Sequence, residues 1–470
     1  MGLARNSETR RLLVITFHFP PDGAIGGLRW AGLSKYLARL GWEVHVITAS
    51  AMAAQDPTPH VQRHVHFRRR TFNDAYRFAA SRFRQPANGG QRPAPEISDR
   101  SGVSSLLRPL AAVRRLVGSA MYLPDQGRGW VLRAARAARA LLRNQKFDVV
   151  ITSGPPHSAH FAGLLATLGG NAQFWIDMRD PWSHVHEVNG PEDWLVRGER
   201  FLLRRLERLT FARATKVIAN TREFASALRI AEPDLDVTWF PNGVDLTQLP
   251  PRDVKAVEYG SIAYVGTLYA GRNLSSVCLA MGRFLSDHPE AAASLRLNVA
   301  GPIEPPHRRQ LQADIVAAGL ESMVNVHGML PRPQALELLN RSHLALVLAQ
   351  DQPMQVPAKL YECVSLGIPT LVIAEATSAA ASEARRIGAM TLEANDVEAM
   401  QALLEDVLAR RIPTTIAAKA PVSYEGLGIR MDSLLREALE GREAGTTSEL
   451  RTLSDSHGMR SFTSEGIETR

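Results

Sequence analysis

The chain contains little cysteine and no long apolar run. Its two cysteines, Cys278 and Cys363, lie far apart in helix-like apolar settings, so neither a disulfide framework nor a thiolate metal site is expected. No apolar stretch reaches bilayer length. The apolar residues 12–17 are too short for a secretory signal and have no cleavage pattern after them. The sequence therefore predicts a cytoplasmic protein, with peripheral contact at the inner face of the cell membrane left open.

Lysine is also scarce, although the chain is basic. Lysine supplies six of the 55 basic residues, so arginine supplies 55 − 6 = 49. The formal charge of +8 favours partners that carry phosphate, or a membrane surface. Because arginine binds phosphate through a planar fork, we expect any phosphate site to use arginine. No nucleic-acid-binding module is recognisable, so nucleic acid is not an expected partner.

The length and the alternation of patterns predict the architecture. A chain of 470 residues exceeds the usual size of a single core. Strand and helix patterns alternate along most of it, which indicates parallel sheets. We therefore expect an α/β fold of two doubly wound, Rossmann-like lobes that face each other across a cleft. The predicted parts are a first domain at 1–248 with a basic insertion at about 51–126, a second domain at 249–412, a helical segment at 413–441, and a disordered tail at 442–470.

A short helix in the second lobe carries a candidate ligand-binding carboxylate. Pro357 and Gly367 bracket the helix, and its apolar residues fall on one face. Lys359 and Glu362 then neighbour each other on the other side, so Glu362 is expected to point away from the packing. Such a helix begins at the carboxyl end of its strand, so Glu362 would present a carboxylate to sugar hydroxyls in the cleft. A solvated ion pair with Lys359 is the alternative interpretation.

Glycines and one arginine suggest a phosphate site between the lobes. Gly26 and Gly27 come just before a predicted helix, where free backbone N–H groups and the helix dipole favour a diphosphate. In the second lobe Gly266 ends a strand, and Arg272 lies close enough to reach the same diphosphate. The glycine pattern matches neither a dinucleotide fingerprint nor a Walker loop. The alternatives are two glycines that only form a turn and a surface arginine.

Polar residues follow two strands of the first lobe. His157 comes after one strand, and Asp177 and Asp180 come after the next, all at predicted carboxyl ends. Asp180, His157 and Asp177 are the candidate catalytic residues. His157 and Asp180 could contact an acceptor hydroxyl, and Trp182 is a candidate apolar surface for a sugar ring. The alternative roles are helix capping for His157 and an ion pair with Arg179 for Asp180.

Taken in order, five segments resemble family 4 glycosyltransferases of the GT-B fold, of the kind found in bacterial surface polysaccharide biosynthesis. The segments are residues 20–29 with the paired glycines, 41–44, 241–245, 264–266 and 359–369. The resemblance implies transfer of a hexose from a nucleotide-diphosphate sugar to a hydroxyl acceptor, with retention of configuration and without a metal or other cofactor. It implies that Gly26, Gly27 and Arg272 bind the donor diphosphate and that Glu362 binds the ribose. It also implies that the helical segment at 413–441 crosses back to the first domain.

The chain departs from the family pattern at three places. Met354 stands where the family has the first of two paired glutamates, so a carboxylate contact to the donor sugar is missing. Thr267 stands where an arginine is common. After strand 173–176, Asp177, Arg179 and Asp180 replace a catalytic histidine. Sugar recognition and the acceptor-side group therefore stay open.

The acceptor and the reaction also leave alternatives. The basic insertion and a stripe of Arg133, Arg136 and Arg139 favour contact with an anionic membrane and a lipid-linked or polysaccharide acceptor, although a solvated basic face is equally consistent. A metal in the cleft is not expected, because the Asp-x-Asp at 234–236 precedes its strand. The rival functions are a nucleotide-sugar epimerase of the same fold and a non-catalytic binding scaffold.

Overall fold

Two parallel β-sheets, each covered by helices, form the frame of the protein in a computed structural model. The structure describes residues 9–21, 25–49, 60–66, 125, 127–182, 194–417 and 422–458. Most of the predicted basic insertion, including its arginines at 68–70, lies outside the described residues. Within that segment the structure describes one short strand, which the sequence analysis did not predict.

The first sheet has seven strands. They are β1 Arg11–Thr16, β2 Glu43–Thr48, β3 Gln62–Val65, β4 Val149–Gly154, β5 Gln173–Met178, β6 Lys216–Ala219 and β7 Val237–Trp239. Their spatial order is β3-β2-β1-β4-β5-β6-β7, and all neighbours are parallel. Residues 12–15 of β1 are completely buried, as expected for a strand covered on both faces. The covering helices are α1 Ile25–Arg39, α2 Arg128–Asn144, α3 Ser158–Thr167, α4 Trp194–Phe211 and α5 Arg222–Ala231.

The second sheet repeats this plan with six strands. They are β8 Glu258–Val265, β9 Arg296–Ala300, β10 Val324–Gly328, β11 Ser342–Leu348, β12 Thr370–Ile373 and β13 Met390–Leu392. The spatial order is β10-β9-β8-β11-β12-β13, again parallel throughout. Its helices are α6 Ser275–Asp287, α7 Pro305–Ala317, α8 Arg332–Arg341, α9 Ala358–Ser365, α10 Ala379–Ile387 and α11 Val397–Leu408. Short 3-10 helices occur at Leu246–Gln248, Val254–Ala256 and Pro289–Ala293.

Both sheets therefore have the doubly wound order, in which the chain reverses direction beside the first strand. The reversal lies between β1 and β4 in the first lobe and between β8 and β11 in the second. Ligands bind at the carboxyl ends of the strands beside such a reversal. The prediction of two Rossmann-like lobes is confirmed, and the topology identifies the edges at which a site is expected.

The last helix, α12 Tyr424–Gly458, returns to the first lobe. Tyr424 and Met431 are buried in a cluster with core residues of that lobe, and the Trp42 indole donates a 2.7 Å hydrogen bond to Asp432. The helix begins at Tyr424, inside the helical segment predicted at 413–441. It also continues through residues 442–458, so the predicted disorder is wrong for that stretch, although Ser, Thr and Gly make up eight of its 17 residues. Residues 459–470 lie outside the described part. Among the described residues, no helix combines the length and apolar character that a bilayer span requires.

Candidate active site at the seam between the lobes

Residues that follow β5 and β6 contact residues that follow β11 across the cleft. The Thr221 hydroxyl at the start of α5 donates a 2.8 Å hydrogen bond to the carbonyl of Met354 in the second lobe. The Gln355 side chain is hydrogen-bonded to Asp180 of the first lobe. Met354 packs against the apolar cluster beneath β5. The position at which the family has a carboxylate is therefore part of the contact between the lobes.

Asp177 lies at the end of β5 but is sealed inside the first lobe. Its carboxylate is fully buried and forms a two-pronged ion pair with Arg29, with distances of 2.9 and 3.1 Å. It also accepts hydrogen bonds from the Trp30 indole and the Ser153 hydroxyl, each at 2.8 Å. Because four protein donors surround the carboxylate, its geometry favours positioning the wall of the site over contact with a substrate. The sequence analysis did not identify Arg29, although its spacing of four residues from the core residue Leu33 places it on the buried side of α1.

Asp180, three residues further on, is turned towards the second lobe. Desolvation raises the pKa of Asp180, while Arg179, Arg272 and the hydrogen bond from Gln355 oppose that rise. The alternative ion pair between Asp180 and Arg179 is not formed in the described part of the chain. Arg179 favours the ionised form of Asp180 through its charge, while its guanidinium donates to the carbonyls of Gly154 and Pro155. Among the three acceptor-side candidates, Asp180 is the one whose carboxylate interacts directly with residues of the opposite lobe.

Gly26 and Gly27 lie inside the first turn of α1, and not before it as predicted. A side chain on Gly26 would come within 2.4 Å of the Arg179 guanidinium, and one on Gly27 would come within 2.9 Å of the Phe19 backbone. Arg179 donates to the carbonyls of Gly154 and Pro155. Because Gly26 and Gly27 have no side chains, α1 can pack closely against the Phe19 backbone, and the Arg179 guanidinium fits beside the amino terminus of α1. The position of Arg179 beside Gly26 was not predicted from the sequence, where Arg179 is a candidate partner of Asp180 alone.

His157 and Trp182 form a stacked pair in the wall of the first lobe. Their ring centroids are 5.1 Å apart with an interplanar angle of 12°. Trp182 is only 3% exposed, so the expectation that its face is open to a sugar ring is wrong. His157 occupies the N-cap position of α3 but makes no side-chain capping bond. Behind it, burial lowers the pKa of His160 to about 3, so His160 is neutral near pH 7.

In the second lobe, Glu362 is held between two cations. Its carboxylate is 2.6 Å from the Lys359 ammonium and 2.7 Å from the Arg332 guanidinium. Glu362 is only 6% exposed, so the expectation that it points away from the packing is wrong, as is the solvated form of the ion pair. Burial opposes its ionisation, but Lys359 and Arg332 outweigh burial and hold the pKa of Glu362 below its usual value. Glu362 is therefore a buried but ionised carboxylate, with both of its oxygens engaged by the two cations.

Gly266 and Arg272 flank the carboxyl end of β8. The Gly266 carbonyl touches Gly301, where a side chain would come within 2.1 Å and where φ is +126°, so this close approach requires glycine. Arg272 donates a 2.6 Å hydrogen bond to the Gln352 side chain and lies over the Tyr269 ring. Its Nε is buried and has no hydrogen-bond partner among the described residues. Arg272 is thus a cation beside Asp180 with an unused donor.

The Asp-x-Asp at 234–236 lies at the amino ends of the strands of the first sheet, opposite to the seam. Asp236 pairs with Lys216 at the amino ends of β6 and β7. The carboxyl ends of these strands face the seam, so Asp236 is remote from it. In the described part of the chain, no group of three or more His, Cys, Asp or Glu side chains is arranged to hold a metal ion.

Two Rossmann-like lobes that meet over such a seam define the GT-B class of glycosyltransferase folds. Residues 26–243 match the family described as "Glycosyl transferase 4-like domain". The predicted resemblance to family 4 glycosyltransferases of the GT-B fold is therefore confirmed. No match was found among curated proteins.

Solved glycosyltransferase structures share the fold at low sequence identity. Sucrose-phosphate synthase from Thermosynechococcus elongatus aligns with a TM-score of 0.63 and 14% identity over 92% of this chain and 100% of that one. Anabaena HepE, solved in complex with UDP and glucose, aligns with a TM-score of 0.60 and 13% identity over 91% and 100%. Trehalose-6-phosphate synthase OtsA aligns with a TM-score of 0.58 and 15% identity over 91% and 99%.

Proposed function

We propose that the protein transfers a hexose from a nucleotide-diphosphate donor to a hydroxyl acceptor, with retention of configuration. The observation that supports this most is that groups suited to a sugar-nucleotide donor lie on one side of the seam, and a carboxylate suited to an acceptor lies on the other. The second lobe supplies Arg272 and the Glu362 site, and the first lobe supplies Asp180, which interacts with Arg272 and Gln355 of the second lobe. The similar fold of HepE, whose structure contains UDP and glucose, supports a sugar nucleotide as donor.

On the donor side, each group matches one part of a sugar nucleotide. The Glu362 carboxylate, ionised and oriented by Lys359 and Arg332, would accept hydrogen bonds from the ribose hydroxyls. Arg272 would bind the diphosphate from the second lobe, while the amino terminus of α1 at Gly26 and Gly27, with Arg179 beside it, would face the diphosphate from the first lobe. These cations stabilise the charge that develops on the departing diphosphate.

On the acceptor side, the Asp180 carboxylate would accept a hydrogen bond from the acceptor hydroxyl and orient that hydroxyl toward the sugar. His157 is the next candidate, because it lies at the end of the neighbouring strand, but it is stacked on Trp182. Asp177 would act through Arg29, by fixing the end of β5 from which Asp180 projects. Gly266 would allow the donor close approach to β8.

We propose that no metal or other cofactor takes part. Arg272, Arg179 and a helix amino terminus supply positive charge at the seam, and the one Asp-x-Asp is at the far edge of the sheet. A diphosphate can be neutralised by guanidinium groups and backbone dipoles alone.

We further propose a lipid-linked or polysaccharide acceptor in the cell envelope, used by a cytoplasmic protein that binds the inner face of the membrane. The basic stripe on α2 supports this. Arg136 and Arg139 are exposed, and Arg133 is half-buried. Exposed arginines attract anionic headgroups near a bilayer surface.

The test is incubation with a panel of sugar nucleotides, with and without membrane lipid extract. Nucleotide release that depends on the extract, together with a glycosylated lipid product, supports the proposal. Isomerised sugar nucleotide formed without an acceptor would replace it with the epimerase. Tight binding without turnover of any donor would replace it with the non-catalytic scaffold.

A further inference from the structure

One face of α4 exposes large apolar side chains. Phe201 is 61% exposed, Leu209 is 56% exposed and Leu202 is 43% exposed. With 3.6 residues per turn, these three positions fall within about a third of the helix circumference. The opposite side of α4, with Leu203 and Phe211, packs into the core of the first lobe. The exposed apolar side chains are therefore not needed to attach the helix to its sheet.

Arginines run beside these apolar side chains. Helical spacing places Arg197, Arg204 and Arg208 along one edge of the exposed face and Arg205 among the apolar side chains, between Phe201 and Leu209. Arg208 forms an ion pair with Glu232, which follows α5. The Arg205 guanidinium lies 5.2 Å from the centre of the Phe201 ring. Among the α4 side chains that the structure describes, Glu207 is the only acidic one, and it is buried. We call residues 197–209 with these outward side chains the α4 face.

The α4 face has the composition of a helix that lies in a membrane interface. Such a helix inserts its apolar side chains at the boundary of the acyl chains and binds anionic headgroups through its basic residues. A second copy of the chain fits poorly, because it would bring arginines against arginines. The exposed arginines of α2 belong to the same layer: α2 and α4 lie on either side of α3 and cover one face of the sheet.

We propose that the α4 face docks the first lobe on an anionic lipid bilayer. This inference rests on the proposed transfer to a lipid-linked acceptor and adds the surface through which that acceptor is approached. In the chain, α4 is the helix that follows β5, whose carboxyl end leads into Asp180. Docking through α4 therefore holds the acceptor-side strand next to the lipid surface.

The test is co-sedimentation with vesicles of phosphatidylcholine alone and with vesicles that also contain phosphatidylglycerol. The wild-type protein is expected to bind the anionic vesicles and to be released by salt, because headgroup attraction is screened. The double variant Phe201→Ser/Arg205→Glu should bind them about tenfold more weakly or worse. The matched control is Leu279→Ser/Arg283→Glu on α6, an exposed apolar–arginine pair with the same spacing on the second lobe, which should bind like the wild type.

Two further readouts separate the possible outcomes. UDP affinity and donor hydrolysis without vesicles should be unchanged in the α4 double variant, which verifies folding and tests the donor site independently of the membrane. Equal binding of wild type and α4 variant to anionic vesicles, or no binding by the wild type, would overturn the inference and leave the transferase proposal intact. Concentration-dependent self-association that the α4 variant abolishes would also overturn it, in favour of a second copy as the occupant.

Discussion

The two lobes share a strand order but differ in how they hold a carboxylate at the carboxyl edge. In the first lobe, Asp177 and Arg29 are 0% and 2% exposed and satisfy each other inside the core. In the second lobe, Glu362 is nearly as buried, yet its partners Lys359 and Arg332 keep 19% and 36% of their side chains exposed. The first pair is closed, whereas the cations of the second remain accessible from the cleft.

The difference in exposure distinguishes an ion pair that stabilises the fold from one that can bind a ligand. A fully buried ion pair costs desolvation and stabilises the fold only while both members are present. An ion pair whose cations are partly exposed can still bind a ligand, because the ligand can replace the water around those cations. We infer that Asp177 fixes the geometry of the first lobe, and that Glu362 binds the donor. The predictions below test that division.

Asp177→Asn should have the largest effect on folding. The substitution leaves the Arg29 guanidinium buried without a counter-ion, which costs about 3–5 kcal/mol of unfolding free energy. Urea denaturation, followed by tryptophan fluorescence, measures the shift in the midpoint. The control Asp406→Asn breaks an exposed pair with Arg411 and should leave the midpoint unchanged. A stable Asp177→Asn protein that has lost donor binding would reverse the roles that we assign to the lobes.

Asp180→Asn should lower the transfer rate about a hundredfold or more without loss of nucleotide affinity, because it removes a group positioned at the acceptor. Desolvation raises the pKa of Asp180, so its ionised fraction falls as the pH drops through that raised value. Wild-type kcat/KM should therefore decline on the acid side at a higher pH than an ordinary aspartate would cause. The residual activity of the variant should not show that decline. An identical acid limb in both proteins would assign the titration to another group.

Glu362→Gln should weaken UDP or GDP binding about tenfold to a hundredfold, because a hydrogen bond to a charged group contributes about 1.5–3 kcal/mol. Isothermal titration calorimetry measures the change. Since the pKa of Glu362 lies below its usual value, wild-type affinity should stay constant from neutral pH down to mildly acidic pH. Glu383→Gln is the matched control, since Glu383 also pairs with a cation three residues away, on α10. Equal losses in both variants would indicate general destabilisation of the lobe.

Thr221→Ala should have the smallest effect, because it removes one hydroxyl that caps α5 and also bonds to Met354. Loss of the cap costs about 1 kcal/mol. Ser378→Ala removes only a cap, that of α10. Steady-state kinetics should therefore show a changed KM for the donor in Thr221→Ala and not in Ser378→Ala. If both variants keep the wild-type KM, the contact between the lobes does not contribute to donor binding.

The fold could be predicted because its signals are local. Runs such as residues 12–15 read as buried strands, and glycines and prolines mark the ends of helices along the chain. The return of the last helix to the first lobe came from the family resemblance. Its continuation to Gly458 could not be predicted from composition, because Ser, Thr and Gly, which are poor helix formers, make up eight of the 17 residues at 442–458.

The site was only partly predictable because its partners are distant in sequence. The Lys359 to Glu362 neighbour relation follows from helix spacing and is present. The burial of Glu362 depends on Arg332, thirty residues earlier (362 − 332), on another helix. Arg29 and Asp177 are 148 positions apart, and no local pattern connects them. Arg179 beside Gly26 depends in the same way on how β5 and α1 pack.

The most direct test is the crystal structure of the protein with UDP or GDP bound. The account predicts the ribose on Glu362 and the diphosphate between Arg272 and the amino terminus of α1. A nucleotide bound elsewhere, or a seam that stays closed by packed side chains at saturating nucleotide, would contradict it.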